Sequence, residues 1–200
     1  MIPNFIDTYQ VLAPHDCERI IDYYHQDDRK KQGVVIGDGE RYDTKKSTDI
    51  YVNFGNLWNN SADDKYNDII LPAVNYAVNK WVENHKFIIS MPAFSSYESY
   101  NIQHYKDGEG YFGLHCECQP DASSDRFIHR MGAWMIYLND AESGTEFPYQ
   151  EIVLQPEQGV CAVWPAYYTH PHKGVTPNRG DKYIATGWIN FLNPNDENIK

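Results

Sequence analysis

His115-Cys116-Glu117 sets an imidazole and a carboxylate two positions apart. On an extended strand, positions i and i+2 share a face, so both groups can aim at one point while Cys116 faces away. A third donor is available far along the chain in His170-Pro171-His172. Two imidazoles and one carboxylate on one side of a divalent ion leave three coordination positions open, the arrangement of non-haem iron(II) oxygenases. The plainer reading is an exposed strand pair and an unrelated histidine. Residue types alone decide neither that question nor the choice between His170 and His172.

The elements that must position these groups follow from periodicity. Short strand-like segments occupy 97–105, 130–138, 151–154, 160–164 and 183–191. Turn signals separate them: Asp107-Gly108, Asn139-Asp140, Ser143-Gly144, Pro156-Glu157-Gln158-Gly159 and Asn178-Arg179-Gly180-Asp181. Helical spacing governs the first third. After Pro14-His15-Asp16, with Asp16 as a candidate cap, Cys17, Ile20, Ile21 and Tyr24 fall on one face. A second helix starts near Ser61-Ala62-Asp63-Asp64 and carries a core stripe of Tyr66, Ile69, Ile70, Ala73, Tyr76, Ala77, Trp81 and Val82. Pro72 is expected to kink it or to begin a new helix. The polar stretch 33–53 reads as a loop or lid with short β-like pieces such as Ile50-Tyr51-Val52. Residues 193–198 read as a tail. Many short strands behind a helical layer predict a mainly β fold with N-terminal helices, a β-sandwich or jelly roll. No internal repeat or linker divides the 200 residues, so a single domain is expected.

Composition bounds the function. Aromatic residues make up 14% of the chain, which suits β structure and polar-rimmed pockets. The net charge of -11 argues against a nucleic-acid partner, which requires a basic face. Arg29, Lys30 and Lys31 are read as a solvated helix end. Cys17, Cys116, Cys118 and Cys161 form no CxxC pair, so a structural zinc site is not expected and the thiols are read as reduced. Without a leader pattern or a membrane-length apolar run, the chain reads as cytoplasmic and not membrane-bound.

Several ordered motifs resemble the prolyl 4-hydroxylase-like family of Fe(II)/2-oxoglutarate-dependent dioxygenases. Tyr105, Gly108 and Tyr111 before His115-Cys116-Glu117 resemble the family's Y-x-x-G-x-x-Y…H-x-D/E, with one extra residue between Tyr111 and His115. The segment Ala133-Trp134-Met135-Ile136-Tyr137-Leu138-Asn139 is similar to its strand ending in YLND. Gly144-Thr145-Glu146-Phe147-Pro148 is similar to G-G-x-T-x-F-P, with Ser143 in place of the first Gly. Pro156 and Gly159 match a P-x-x-G turn, Trp164-Pro165 stands at F-P, and His172 precedes Lys182 at the family's interval. Tyr183-Ile184-Ala185-Thr186-Gly187-Trp188 resembles the closing strand, and Ile2-Pro3-Asn4-Phe5-Ile6 the opening.

The resemblance implies a double-stranded β-helix, or distorted jelly roll, with helical support over about 1–90 and a core over about 91–192. It implies that His115, Glu117 and His172 hold Fe(II), with Glu117 in place of the usual Asp. Downstream spacing favours His172 over His170, which becomes a candidate hydrogen-bonding partner. Lys182 would pair with the distal carboxylate of 2-oxoglutarate, aided by Tyr105 and Thr186. Trp188 is read as core or pocket wall. The implied reaction consumes O2 and 2-oxoglutarate, with ascorbate as an optional reductant, and releases succinate and CO2. Its default substrate is a prolyl residue in a peptide or protein, the segment 45–49 and the loop 33–42 standing where relatives build a peptide-facing lid. A small molecule or free amino acid stays open, and so does the oligomeric state. Base demethylation of nucleic acid fits poorly because no arginine follows Lys182. A cupin-like binding module would lack the Lys182 clamp, and a zinc hydrolase would need a general-base motif that this sequence lacks.

Overall fold

The computed structural model describes residues 4–35, 44–53, 63–96, 98–118, 129–175 and 179–192. Two helices, α1 (Pro14–Gln26) and α2 (Asp64–Asn84), back a large antiparallel sheet. Its strands are β1 (Asp7–Gln10), β2 (Lys31–Gln32), β4 (Thr48–Val52), β5 (Phe94–Ser95), β6 (Tyr100–Tyr105), β8 (Arg130–Tyr137), β11 (Val160–Pro165) and β13 (Lys182–Phe191). They run in the order β1-β11-β8-β13-β6-β4-β2, with β5 against the end of β13. Facing it are β9 (Thr145–Phe147), β10 (Ile152–Leu154) and β12 (Lys173–Gly174), in the order β10-β9-β12, and the pair β3 (Lys45–Lys46) with β7 (Gly110–Tyr111). Two facing antiparallel layers with helices on the outer side are the expected distorted jelly roll.

Strand alternation divides the interior in two. Trp134 and Ile136 of β8 point to the helices and join Ile20, Tyr24, Ile70, Val74 and Trp81 in one core. Ala133, Met135 and Tyr137 point the other way and join Phe147, Trp164 and Ile184 between the sheets. Every residue of β8 is buried, which explains its unbroken apolar run. On β13 the same alternation sends Lys182, Ile184, Thr186 and Trp188 to the inner face, all four lining its cavity.

α1 begins with Pro14 in its first turn, where the missing N–H costs nothing. The residue before it is Ala13, so Asp16 is not the cap. Its carboxylate lies within the first turn instead, beside His15 and Arg19. Pro72 neither breaks nor restarts α2, which runs through it as one helix. Tyr76 leaves the expected stripe and is exposed, while Asn67, Val74 and Val78 join the buried face.

Residues 44–53 form strands rather than an irregular loop. β3 pairs with β7, and β4 is a strand of the large sheet, pairing with β6. The polar look of this stretch comes from alternation, with Ile50 and Val52 in the core while Asp49 and Tyr51 line the cavity. Residues 36–43 of the expected loop, the tail 193–198 and part of the 178–181 turn lie outside the described residues. Arg29 is more than a solvated helix end, since it pairs with Asp27 and Asp63, both at 2.7 Å.

Candidate metal centre

His115 and His172 exchange backbone hydrogen bonds in an isolated bridge, at 3.1 and 2.8 Å. The Glu117 and Cys118 N–H groups then donate to Ala166 O at the end of β11. The segment 115–118 therefore crosses between layers and is not the regular strand expected from its pattern. Cys116 is among the residues lining the cavity, with its Sγ 3.8 Å from Cys118 O.

Each histidine is set by its other nitrogen. His115 Nδ1 lies 2.9 Å from Gly113 O and His172 Nδ1 lies 3.1 Å from His170 O. A carbonyl only accepts, so both Nδ1 atoms carry the proton and both Nε2 lone pairs are free. Those Nε2 atoms lie 3.6 and 3.3 Å from Glu117 Oε1. The three donor atoms lie within 4.8 Å of one another. Metal–ligand bonds of about 2.0–2.2 Å place neighbouring donors roughly 3 Å apart, so an ion fits between them with small adjustments. Tyr111 stacks on the His115 ring at 3.8 Å, and Phe147 and Trp164 border His172 at 5.2 and 5.1 Å.

The charges here are matched to metal ligation. Burial, with the neighbouring His172, lowers His115 to about 4, which keeps the imidazole neutral. Burial alone would raise Glu117, but His172, His115 and Arg130 outweigh it and hold the carboxyl well below its ordinary range. Its second oxygen, Oε2, accepts a hydrogen bond from Trp188 Nε1 at 2.5 Å and lies 3.8 Å from Arg130 Nη1. Arg130 stacks on the Trp188 ring at 3.5 Å and pairs with buried Glu98 through two nitrogens, at 2.5 and 3.0 Å.

The triad opens on a cavity of about 680 Å³, and Lys182 lines it too. The Lys182 ammonium donates to Ser143 O at 2.8 Å and sits 5.9 and 5.7 Å from the Tyr105 and Tyr137 rings. Among the described residues no carboxylate lies within ion-pair distance of it. Burial therefore lowers its pKa to about 8. Register places the residue directly across from Tyr105, and two turns support that end: Gly180, at φ +73°, donates its N–H to Asp107 Oδ1 at 3.1 Å.

Residues 100–190 match the family model of the 2OG-Fe(II) oxygenase superfamily. Over that stretch the chain is similar to a 2OG-Fe(II) oxygenase domain. The whole chain is similar in fold to the viral collagen prolyl hydroxylase of Paramecium Bursaria Chlorella virus-1, in its 2OG complex. Identity is 17%, the TM-score is 0.62, and the match covers 94% of this chain and 97% of that one. It is similar to a Pseudomonas putida prolyl-4-hydroxylase at 13% identity and TM-score 0.63, over 95% of this chain and 94% of that one. A Trichoplax adhaerens prolyl hydroxylase, in complex with a hypoxia inducible factor oxygen degradation domain peptide fragment, matches at 12% identity and TM-score 0.67, covering 94% and 84%. No curated protein matches the sequence.

The structure brings together His115, Glu117 and His172. His170 stands apart, its Nε2 2.7 Å from Asn4 O and its Nδ1 2.9 Å from Thr169 Oγ1. Tyr105 and Thr186 line the cavity with Lys182, though the Tyr105 hydroxyl donates to Gln103 Oε1 at 2.6 Å and Thr186 to Trp134 O at 3.0 Å. Sequence reasoning missed Arg130 and Glu98, and it treated Trp188 as wall alone. A charged residue opening an otherwise apolar strand was the available signal for Arg130. None of the four cysteines is in a disulfide, and among the described residues no helix is long and apolar enough to cross a membrane.

Proposed function

We propose that the protein hydroxylates a C–H bond of a prolyl residue in a peptide or protein, using iron(II), O2 and 2-oxoglutarate and releasing succinate and CO2. One observation carries this reading: a partly buried triad of two imidazoles and a carboxylate shares a cavity with a buried ammonium that, among the described residues, has no carboxylate of its own. His115, Glu117 and His172 would hold the iron. The donor set fits, because two neutral nitrogens and one carboxylate oxygen suit iron(II) and leave three positions for ligands. When bound, iron(II) and 2-oxoglutarate supply the O2 activation that inserts one oxygen atom into the C–H bond.

The chain's own groups do the rest. Lys182 would pair with the distal carboxylate of 2-oxoglutarate, offsetting the desolvation of both charges. Tyr105, and Thr186 beside it, would border the same carboxylate. The apolar walls of Met135, Ile184, Trp164 and Trp188 keep water from the site and strengthen each polar contact inside it. The peptide assignment is supported by the Trichoplax protein, whose structure contains a peptide fragment, and the prolyl assignment by the three structures named above being prolyl hydroxylases. We place the reaction in a reducing, cytoplasmic setting, in keeping with four cysteines outside any disulfide, with ascorbate as a candidate reductant. The whole chain is taken as one catalytic domain.

The test supplies iron(II), 2-oxoglutarate and a panel of proline-containing peptides and metabolites, then measures succinate release and a mass gain of one oxygen. Succinate with an oxidised peptide is the expected outcome. Oxidation of metabolites alone would move the substrate to small molecules, and no succinate under any condition would overturn the reading.

A further inference from the structure

Glutamate reaches one methylene further than aspartate and has one more rotatable bond. A carboxylate on so long an arm can turn both oxygens toward an ion and occupy two coordination positions. The surroundings of Glu117 oppose that turn. Oε1 faces both imidazoles, at 3.3 and 3.6 Å, while Oε2 is drawn away by the Trp188 indole at 2.5 Å. The Trp188 ring is itself held by the Arg130 guanidinium stacked 3.5 Å from its centre. Arg130 is fixed by Glu98, and Glu98 Oε2 also accepts from Asn190 Nδ2 at 3.0 Å. Arg130 and Asn190 are partners in register, at the point where the β13–β8 ladder shifts after Ile189. Arg130, Glu98 and Asn190 are all buried, so none of these bonds is traded for water at low cost.

We infer that Trp188, backed by Arg130 and Glu98, is a positioning device that keeps Glu117 a one-oxygen ligand and so preserves the third open coordination position. This rests on the assignment of His115, Glu117 and His172 as metal ligands and adds to it how the acid is restrained. A freed Glu117 would take a second position, leaving too few for a chelating 2-oxo acid and O2 together.

The test uses manganese(II), which is stable in air, and counts its exchangeable waters by water-proton relaxation. The unmodified protein is expected to show three, and Trp188→Phe fewer. Manganese affinity should change less than tenfold in that variant, while 2-oxoglutarate affinity for the manganese-loaded protein falls at least tenfold. In a Glu117→Asp background the shorter arm makes the indole redundant, so adding Trp188→Phe should leave the count unchanged. Arg130→Lys keeps the charge but loses the planar stack, so it repeats the measurement with the indole intact and should lower the count as well. Both variants holding three waters, or folded Trp188→Phe losing manganese altogether, would overturn the inference. Failure of the unmodified protein to bind manganese would instead reject the ligand assignment.

Discussion

The two ends of the cavity handle buried charge in opposite ways. At the triad, each charge has a partner: Glu117 meets Trp188 and Arg130, and Arg130 meets Glu98. At the other end Lys182 is as deeply buried, yet among the described residues its ammonium reaches only the Ser143 carbonyl and two aromatic rings. A buried ion without a counter-ion costs several kcal/mol. The triad end is preorganised whatever fills it, whereas the Lys182 end carries a deficit that a small dianion would relieve. Here, burial without compensation points to a ligand more sharply than a satisfied network does.

The largest effects test whether the triad is one unit. Changing His115, Glu117 or His172 to Ala should weaken manganese(II) or iron(II) binding by more than about 100-fold, measured by calorimetry without oxygen. His170→Ala should leave metal affinity within a few-fold and lower unfolding stability by about 1–2 kcal/mol, because its bonds to Asn4 and Thr169 are structural. Loss of metal in His170→Ala with retention in His172→Ala would reverse the ligand choice.

Next comes the deficit. Lys182→Met removes the ammonium but keeps the bulk. It should reduce 2-oxoglutarate affinity about 100-fold while metal affinity holds, because a buried carboxylate then lacks its cation. The same change should raise stability by about 1–3 kcal/mol in urea unfolding, since an uncompensated buried charge is gone. A destabilised variant would mean that Lys182 serves the fold and not a ligand.

The deficit also has a pH signature. The Lys182 pKa is lowered from 10.5 to about 8 by burial. Below that value the ammonium is present and its burial penalty is fully felt. Between 8 and 10.5 the unfolded chain holds more protons than the folded one, so stability rises with pH across that window relative to Lys182→Met. Binding runs the other way. 2-Oxoglutarate affinity should be flat below about pH 7 and fall by about tenfold per unit above the lowered pKa, until the pKa of the complex is reached. Lys182→Arg, which stays charged, should abolish the fall. An unchanged decline in that variant would assign the titration to another group.

Legibility differed between the two ends for physical reasons. β8, β11 and β13 could be read closely from sequence because burial on both faces leaves a dense apolar run bounded by turn residues. β4 was hidden because its cavity-facing positions are polar, and Lys45 looked like surface although it is buried against Asp49 at 2.6 Å. The spacing of His115 and Glu117 pointed to convergence for a reason that proved incomplete. No strand carries them; a bridge to His172 and two bonds to Ala166 do. Those contacts span tens of residues, as does the Glu98–Arg130 pair, and no local pattern encodes them. Lys182 could be placed only through its resemblance-based interval from His172, since a single lysine in a strand carries no signal of its own.

The smallest effects ask how far the deficit at Lys182 is shared by its neighbours. Tyr105 lies across the ladder from Lys182, and its hydroxyl gives its proton to Gln103 while keeping lone pairs that a carboxylate does not want. To help bind a dianion it must leave Gln103, so Tyr105→Phe should cost only about three- to tenfold in 2-oxoglutarate affinity. Thr186 is more constrained. Its one proton goes to the Trp134 carbonyl, a bond between adjacent strands. Redirecting that proton to a ligand would give up this bond to the sheet, a cost near the gain from the new bond. Thr186→Val should therefore change 2-oxoglutarate affinity less than threefold, and a larger loss would show that the threonine turns toward the cavity when the dianion arrives.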